Sequence, residues 1–312
     1  LVRVEDALRA AVRSDDPYLT EVASHLILAG GKRGRPAFAV GAAATASATL
    51  AAVPQDAIQG GVSVELVHLG SLYHDDVMDE ATTRRTVESV NAKWGNLQAI
   101  LAGDFLLAKA SEIAASLGTE VAGLLAATIG RLCEGQVLEL QHTYNTTRTE
   151  DAYLRSIEGK TASLFATAAR IGGITTGQSR ERVEALTEFG LAYGMAFQIV
   201  DDILDIVATD EQLGKPAGHD LIEGVYTLPV IRTLAADDRL RAMLGAPLTL
   251  EEMDVARTLV REGGEIATSM QTALDYVQRA DAALEPLGPS DARDGLVGAA
   301  EHLLTSVTAI AG

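Results

Sequence analysis

ELVHLGSLYHDDVMDEATTRR, residues 65 to 85, runs from an apolar segment into three carboxylates, Asp75, Asp76 and Asp79. On a helix, positions i and i+4 stack on one face, so Asp75 and Asp79 can grip the same ion. Three acids within five residues, beside apolar neighbours and with no basic partner inside the cluster, repel one another and are costly to desolvate until a cation arrives. Carboxylate oxygens select a hard divalent ion, Mg²⁺ foremost. Taken alone, the cluster also reads as the solvated acidic end of a helix.

The same spacing recurs in DDILD, Asp201 to Asp205, after a second helical apolar run, AYGMAFQIV. Two clusters of identical spacing predict facing walls of one metal site. Arg84 and Arg85 follow the first cluster directly, and cations beside metal-holding carboxylates suit a ligand rich in negative oxygens, a diphosphate.

On these motifs the chain resembles the trans-isoprenyl diphosphate synthases, or polyprenyl synthetases. Besides DDVMD and DDILD, the segments GGKRGRP (30 to 36), ELVHLGSLYHDD (65 to 76), GKTASL (159 to 164), FQIVDDILD (197 to 205) and GKPAGHDL (214 to 221) fall in that family's order. The resemblance implies an all-α fold, a single-domain isoprenoid-synthase helical bundle (residues 1 to 312) around a central cavity. It implies a prenyltransferase that condenses isopentenyl diphosphate with an allylic diphosphate, works as a homodimer, and uses about three Mg²⁺ ions when substrate is bound. Asp75, Asp79 and Asp201 would hold metal with Asp76, Asp202 and Asp205 in support. Lys32, Arg35, His68 and Arg85 would hold isopentenyl diphosphate, and Arg84 and Lys215 the allylic diphosphate. Lys160 and Thr161 would meet the leaving diphosphate and nascent cation, and Asp220 would support a metal-bound water.

The chain departs from that pattern at three places. Gly34 stands where a larger residue is usual, Thr86-Val87-Glu88 replaces Gly-x-Pro, and Val225 in GVYTLPV replaces a lysine.

The residues themselves leave some readings open. Lys32, Arg33 and Arg35 between Gly30-Gly31 and Pro36 form either a diphosphate cradle or a basic helix cap. His68, two turns before Asp75, is a ligand-facing residue or a satisfied core histidine. Gln198, three residues before Asp201, either sets its amide oxygen near developing positive charge or ties two helices together. His74 reads as structural, and Gly159-Lys160-Thr161 lacks the strand and glycines of a P-loop.

With 312 residues, 47% hydrophobic content and no linker-like stretch, the chain reads as one domain. Long apolar patterns at helical period point to an all-α chain. Helices are expected near 4 to 13, from Pro17 to Gly30, from Asp56 to Asp79, 97 to 117, 121 to 144, 151 to 171 with a break at Gly159, and 182 to 207. Asn91 and Asn96 are expected as helix caps, and Thr249 with Glu252 as a capping box. The net charge of −18 argues against nucleic acid as a partner and disfavours a polybasic membrane anchor. Cys133, alone in the chain, fits a reducing cytoplasm and reads as a small core residue. No signal peptide is visible from Leu1 onward, and the uncharged stretch 37 to 55 reads as an internal helix rather than a membrane span.

Counting back from Asp75, the residues Ser71, Val67, Val64 and Gly60 form one stripe. In the resembled family, bulky residues four or five positions before the first aspartate stop product growth. Ser71 and Gly70 here imply a long product of about six to ten isoprene units growing along that stripe. Farnesyl or geranylgeranyl diphosphate synthesis is the alternative. A terpene cyclase, a subunit of a heteromeric synthase and a di-iron bundle are disfavoured by the basic cradle, the six retained aspartates and the missing Glu-x-x-His pairs respectively.

Overall fold

The computed structural model describes residues 1–47, 49, 52–213 and 217–311, with the side chains of 213 and 306–311 left undescribed. Its helices are α1 (Val2–Ala11), α2 (Pro17–Leu28), α3 (Gly34–Ala44), α4 (Gln55–Met78), α5 (Val90–Trp94), α6 (Asn96–Ser116), α7 (Thr119–Leu140), α8 (Glu150–Ile157), α9 (Ser163–Thr175), α10 (Arg180–Val207), α11 (Asp210–Leu213), α12 (His219–Glu223), α13 (Leu228–Ala236), α14 (Asp238–Met243), α15 (Leu250–Glu262), α16 (Glu265–Ala283) and α17 (Asp291–Ala311). Among the described residues, the only strands are β1 (Thr83–Arg84) and β2 (Val87–Glu88), an antiparallel pair with Arg84 opposite Val87. The all-α expectation holds.

By contact density the chain divides into two compact units. One is Leu1–Ile129 with Thr167–Thr187 and Pro289–Arg293; the other is Gly130–Ala166 with Glu188–Gly288 and Asp294–Gly312.

In the first unit α4 is the central helix. Its middle, from Gly60 to Val67, is buried on every face, with Leu69 and Tyr73 buried beyond it, as the centre of a core helix must be. Small residues let its neighbours close in. A Cβ at Gly61 would lie 3.2 Å from Pro36 Cα on α3, and one at Gly70 would lie 3.1 Å from the Gly103 carbonyl on α6. Tyr73 reaches sideways to donate its hydroxyl to the Val22 carbonyl of α2 at 2.8 Å, satisfying a buried O–H. The helix α2 starts as its sequence predicts, with Pro17 in the first turn and Asp16 accepting from Tyr18 N at 2.9 Å.

In the second unit α10 packs through glycines. A Cβ at Gly190 would sit 2.6 Å from the Phe165 carbonyl and one at Gly194 would sit 2.5 Å from Ala162 Cα. The break expected at Gly159 is a π turn, Glu158–Ala162, between α8 and α9. It lies at a close backbone contact: a Cβ at Gly135 of α7 would meet Lys160 N at 2.5 Å and the Ser156 carbonyl at 2.7 Å. The Thr249–Glu252 capping box is present at the start of α15.

Three expectations need correction. Asn91 and Asn96 are not caps: Ser89 caps α5, Gly95 precedes α6, and Asn91 Nδ2 donates to the carbonyls of Asp76 at 2.9 Å and Ala81 at 3.0 Å. The helix there starts so early that Asn91 lies inside it and ties down the end of α4 instead. Cys133 is exposed, not core. It belongs to α7, a helix of mean hydropathy 1.3 that is long and apolar enough to cross a membrane by length and composition, yet only 22% of that stretch is buried. The first helix lies two residues earlier than expected. The 37 to 55 stretch is helical as far as Ala44, with Ala39, Ala42 and Ala43 fully buried.

Candidate active site

In the first unit the DDVMD acids sit at the C-terminal end of α4. Asp75 is half-buried, Asp79 caps the helix and is exposed, and Asp76 is fully buried. Arg84 supports Asp76, its Nε and Nη2 lying 2.7 Å and 2.6 Å from Oδ1, while Oδ2 is buried without a hydrogen-bond partner. Burial raises the Asp76 pKa and Arg84 opposes that rise. The β1–β2 hairpin brings Arg84 there. Its two turn residues, Arg85 and Thr86, are both left-handed, at φ 52° and 65°, the geometry a tight hairpin demands and glycine meets without strain. The departure at Thr86 therefore costs backbone strain.

Arg85 docks on the end of α2, donating from Nη1 to the Leu26 carbonyl at 3.1 Å and to the Gly30 carbonyl. Gly31 sits at φ 150°, where a side chain would be strained, and a Cβ there would stand 2.7 Å from Arg85 Nη1 and displace the guanidinium. Of the three cations in the following loop, Lys32 is exposed and Arg35 half-buried, but Arg33 turns inward. Arg33 is ion-paired to Glu5 at 2.5 Å and to Glu65 at 3.0 Å, and donates to the Ile27 carbonyl at 2.9 Å. Glu65 is 2% exposed; burial raises its pKa, opposed by Arg35, Arg33 and Arg85. His68, one turn further along the same face, is held well below the ordinary histidine range by burial and by Arg35, Arg85, Arg84 and Arg33. It is therefore neutral and able to donate one hydrogen bond. The structure thus gathers Arg35, His68, Arg84 and Arg85 about one end of α4. The sequence reading missed Glu65 as the carboxylate among these cations, although a lone Glu inside an apolar run, three residues before His68, was a visible signal.

In the second unit the DDILD residues are tied into a hydrogen-bonded relay. Thr161 Oγ1 donates to Gln198 Oε1 at 2.7 Å, Gln198 Nε2 donates to Asp202 Oδ1 at 2.8 Å, and Tyr153 OH donates to Asp202 Oδ2 at 2.5 Å. Burial pushes Asp202 up to about 7 even though both bonds favour its charged form. Lys160 pairs with Glu139 at 2.6 Å. Asp205 is buried and accepts from Asp220 N at 3.4 Å, whereas Asp201 is exposed. Lys160, Thr161, Gln198 and Asp202 line a cavity of about 110 Å³ together with Tyr153 and Arg148, neither of which the sequence reading singled out. Lys215 lies outside the described residues.

The polyprenyl synthetase profile matches residues 16–260. The chain belongs to the polyprenyl synthetase family. A nonaprenyl diphosphate synthase from Mycobacterium tuberculosis is 40% identical over 90% of this chain and 84% of its own length. A heptaprenyl diphosphate synthase component 2 from Geobacillus stearothermophilus is 39% identical over 94% and 91%. The crystal structure of a polyprenyl synthase from Caulobacter crescentus CB15, complexed with calcium and isoprenyl diphosphate, matches at a TM-score of 0.91 with 34% identity, covering 97% of this chain and 93% of that one. Membership makes this chain an enzyme of prenyl transfer with the all-α isoprenoid-synthase fold.

For a polyprenyl synthetase the metal question turns on which carboxylates can reach an ion. Among the described residues no three His, Cys, Asp or Glu side chains form a ready-made ligand group. Asp202 has both oxygens engaged and Asp76 has one, which fits supporting roles. Asp75, Asp79 and Asp201 present hard oxygen donors closer to solvent. Mg²⁺ binds through one or two carboxylates and completes its shell with water and phosphate oxygens, so these donors fit that ion arriving with a diphosphate.

Proposed function

We propose that the chain is a Mg²⁺-dependent synthase that extends an allylic diphosphate with isopentenyl diphosphate to a product of about six to ten isoprene units, reading product length from the small residues on the α4 stripe. The observation that carries the reaction is the group of Arg35, Arg84 and Arg85 around neutral His68 beside the first aspartate cluster. A cyclase has one diphosphate to hold and no use for a second cradle. Relatives that make nona- and heptaprenyl diphosphates support the long product.

In this reading Asp75, Asp79 and Asp201 hold about three Mg²⁺ ions, with Asp76, Asp202 and Asp205 behind them. When bound, the metal supplies Lewis-acid neutralisation of the departing diphosphate. Lys32, Arg35, Arg85 and His68 anchor isopentenyl diphosphate, His68 as an uncharged donor. Arg84, Lys160 and Lys215 draw on the allylic diphosphate. Thr161 and Gln198 face the nascent cation, their amide and hydroxyl dipoles fixed beforehand by the bond between them and by Asp202. The double bond of isopentenyl diphosphate then attacks that cation and the released diphosphate takes the proton.

A homodimer in the cytoplasm completes the proposal. Leu97, Ile100 and Leu101 of α6 are 66%, 42% and 57% exposed, an apolar face suited to a second copy. A heteromeric arrangement is the second reading, favoured by the relative named as a component.

The experiment is an assay of the purified chain with Mg²⁺, isopentenyl diphosphate and each short allylic starter, with product length read by mass. Products longer than the starter are expected. No elongation with any starter, in protein that is folded, would defeat the proposal for the chain acting alone.

A further inference from the structure

The cavity in the second unit is walled by two cations, Lys160 and Arg148, and by the acids Glu139, Asp202, Asp220 and Glu223. Lys160 has a carboxylate partner in Glu139. Arg148 has none among the described residues. Only 4% of Arg148 is exposed, and it is held by neutral groups: Nη1 donates to the Tyr226 carbonyl at 3.0 Å and Nη2 to Ser156 Oγ at 2.5 Å. Its Nε is buried with no acceptor, and its guanidinium lies 5.5 Å from the centre of the Tyr153 ring.

A buried guanidinium without an ion pair is expensive to keep, and an apolar side chain of similar volume would fill the same space at lower cost. Glu139 and Asp202 act on this charge through space without bonding it, and the guanidinium gains a directly bonded anionic partner if an anion meets it when the cavity is filled. Tyr153 supports this from below, since its ring lies under the guanidinium while its hydroxyl is committed to Asp202. Ser156 and the Tyr226 carbonyl fix the fork in one orientation, which lowers the entropy lost when it binds a flat array of oxygens.

We propose that Arg148 is a diphosphate-binding residue of this enzyme, a second cation beside Lys160 for the group that leaves the allylic substrate. This rests on the prenyl-transfer reading above. Arg148 then contributes to starter affinity and to retention of released diphosphate, and has no part in holding isopentenyl diphosphate. Because four acids share the cavity wall, its contribution is realised only when Mg²⁺ accompanies the anion.

The probe is inorganic diphosphate with Mg²⁺, titrated calorimetrically into the full chain. Arg148→Met should raise its Kd at least about ten-fold, as the loss of a charge-assisted contact does, and raise the KM of the allylic starter in step. The KM of isopentenyl diphosphate should stay within about two-fold. Val225 lines the same cavity and adjoins Tyr226, so a cation placed there enters the same space. Val225→Lys in the Arg148→Met background should bring the Kd back to within about three-fold of the starting protein. A residue that merely packs would lower the melting temperature without this rescue. Should Arg148→Met not fold, Arg148→Gln, which keeps a donor for the Tyr226 carbonyl, carries the same expectation.

A folded neutral variant that binds diphosphate as tightly as the wild type, or one whose loss of binding Val225→Lys does not repair, overturns the proposal. The underlying reaction fails on a different result, wild-type protein that binds diphosphate with Mg²⁺ and elongates no starter.

Discussion

Adjacent residues in the basic loop do opposite work. Lys32 is exposed, whereas Arg33 is buried between Glu5 and Glu65 with its backbone left-handed at φ 49°. Removing the guanidinium strands the buried Glu65, so Arg33→Met should destabilise the chain by about 3–5 kcal/mol in denaturant unfolding. Lys32→Ala should melt like the wild type while raising the KM of isopentenyl diphosphate about ten-fold or more. Equal melting of both variants would count against the inward placement of Arg33. Asp202 gives a second residue-scale expectation. Its folded pKa of about 7 exceeds the ordinary value of 3.8, so the folded state holds the proton more tightly than the unfolded one. Its contribution to stability is present in full below about pH 4 and is lost as pH rises to about 7. In metal-free buffer, Asp202→Asn should flatten that fall between those limits; an unchanged slope would place the titration elsewhere. At this scale the sequence shows which residues carry charge but not which ones meet. Tyr153 is far from Asp202 in the chain, and no spacing rule links them.

Elements show how backbone contact sets side-chain position. The π turn offsets Lys160 and Thr161 from the register a straight helix would give them, and it exists where α7 presents Gly135 to their backbone. Gly135→Ala should therefore lower kcat and cost about 1–3 kcal/mol of stability with helical content kept, as read by circular dichroism and assay. Wild-type turnover in that variant would detach the turn from the chemistry. The stripe on α4 is more constrained than its sequence implies. A Cβ at Gly70 would stand 3.1 Å from the Gly103 carbonyl and 3.2 Å from Leu107 Cγ of α6, tighter than ordinary contact, so a bulky residue there would push helices apart rather than block a passage. Ser71 remains the informative position. Further along, a Cβ at Gly60 would come 2.3 Å from Ile171 Cγ2, so the Ile171 side chain of α9 packs directly on the far end of the stripe. Ser71→Phe should shorten the product and Ile171→Ala should lengthen it. An unmoved product distribution in both would show that the tail grows along another face. The helices themselves were legible because their apolar period is long and their caps standard; the glycine contacts were not, because a glycine in sequence does not say what it faces.

For the whole molecule, composition gave no linker, and the reason lies in where the contact boundaries fall: Ile129, Ala166 and Thr187 lie inside α7, α9 and α10, so no break in pattern marks them. Nor did composition single out the α6 face. Leu97 and Leu101, one turn apart and more than half exposed, look in sequence like any core pair. Replacing both by Glu should halve the mass seen by light scattering, while a wild type already monomeric would remove the expected dimer. The hairpin that carries Arg84 ends beside Trp94, the only tryptophan in the chain. The Trp94 ring stands edge-on to His25 at 4.9 Å, and the other face of that contact is the His25 Nε2 bond to the Glu88 carbonyl at 2.7 Å. The enzyme thus carries its own fluorophore, set against an imidazole that is fastened to the hairpin holding Arg84. Emission from native protein, with no dye attached, would therefore register any change in the contact between that hairpin and α2.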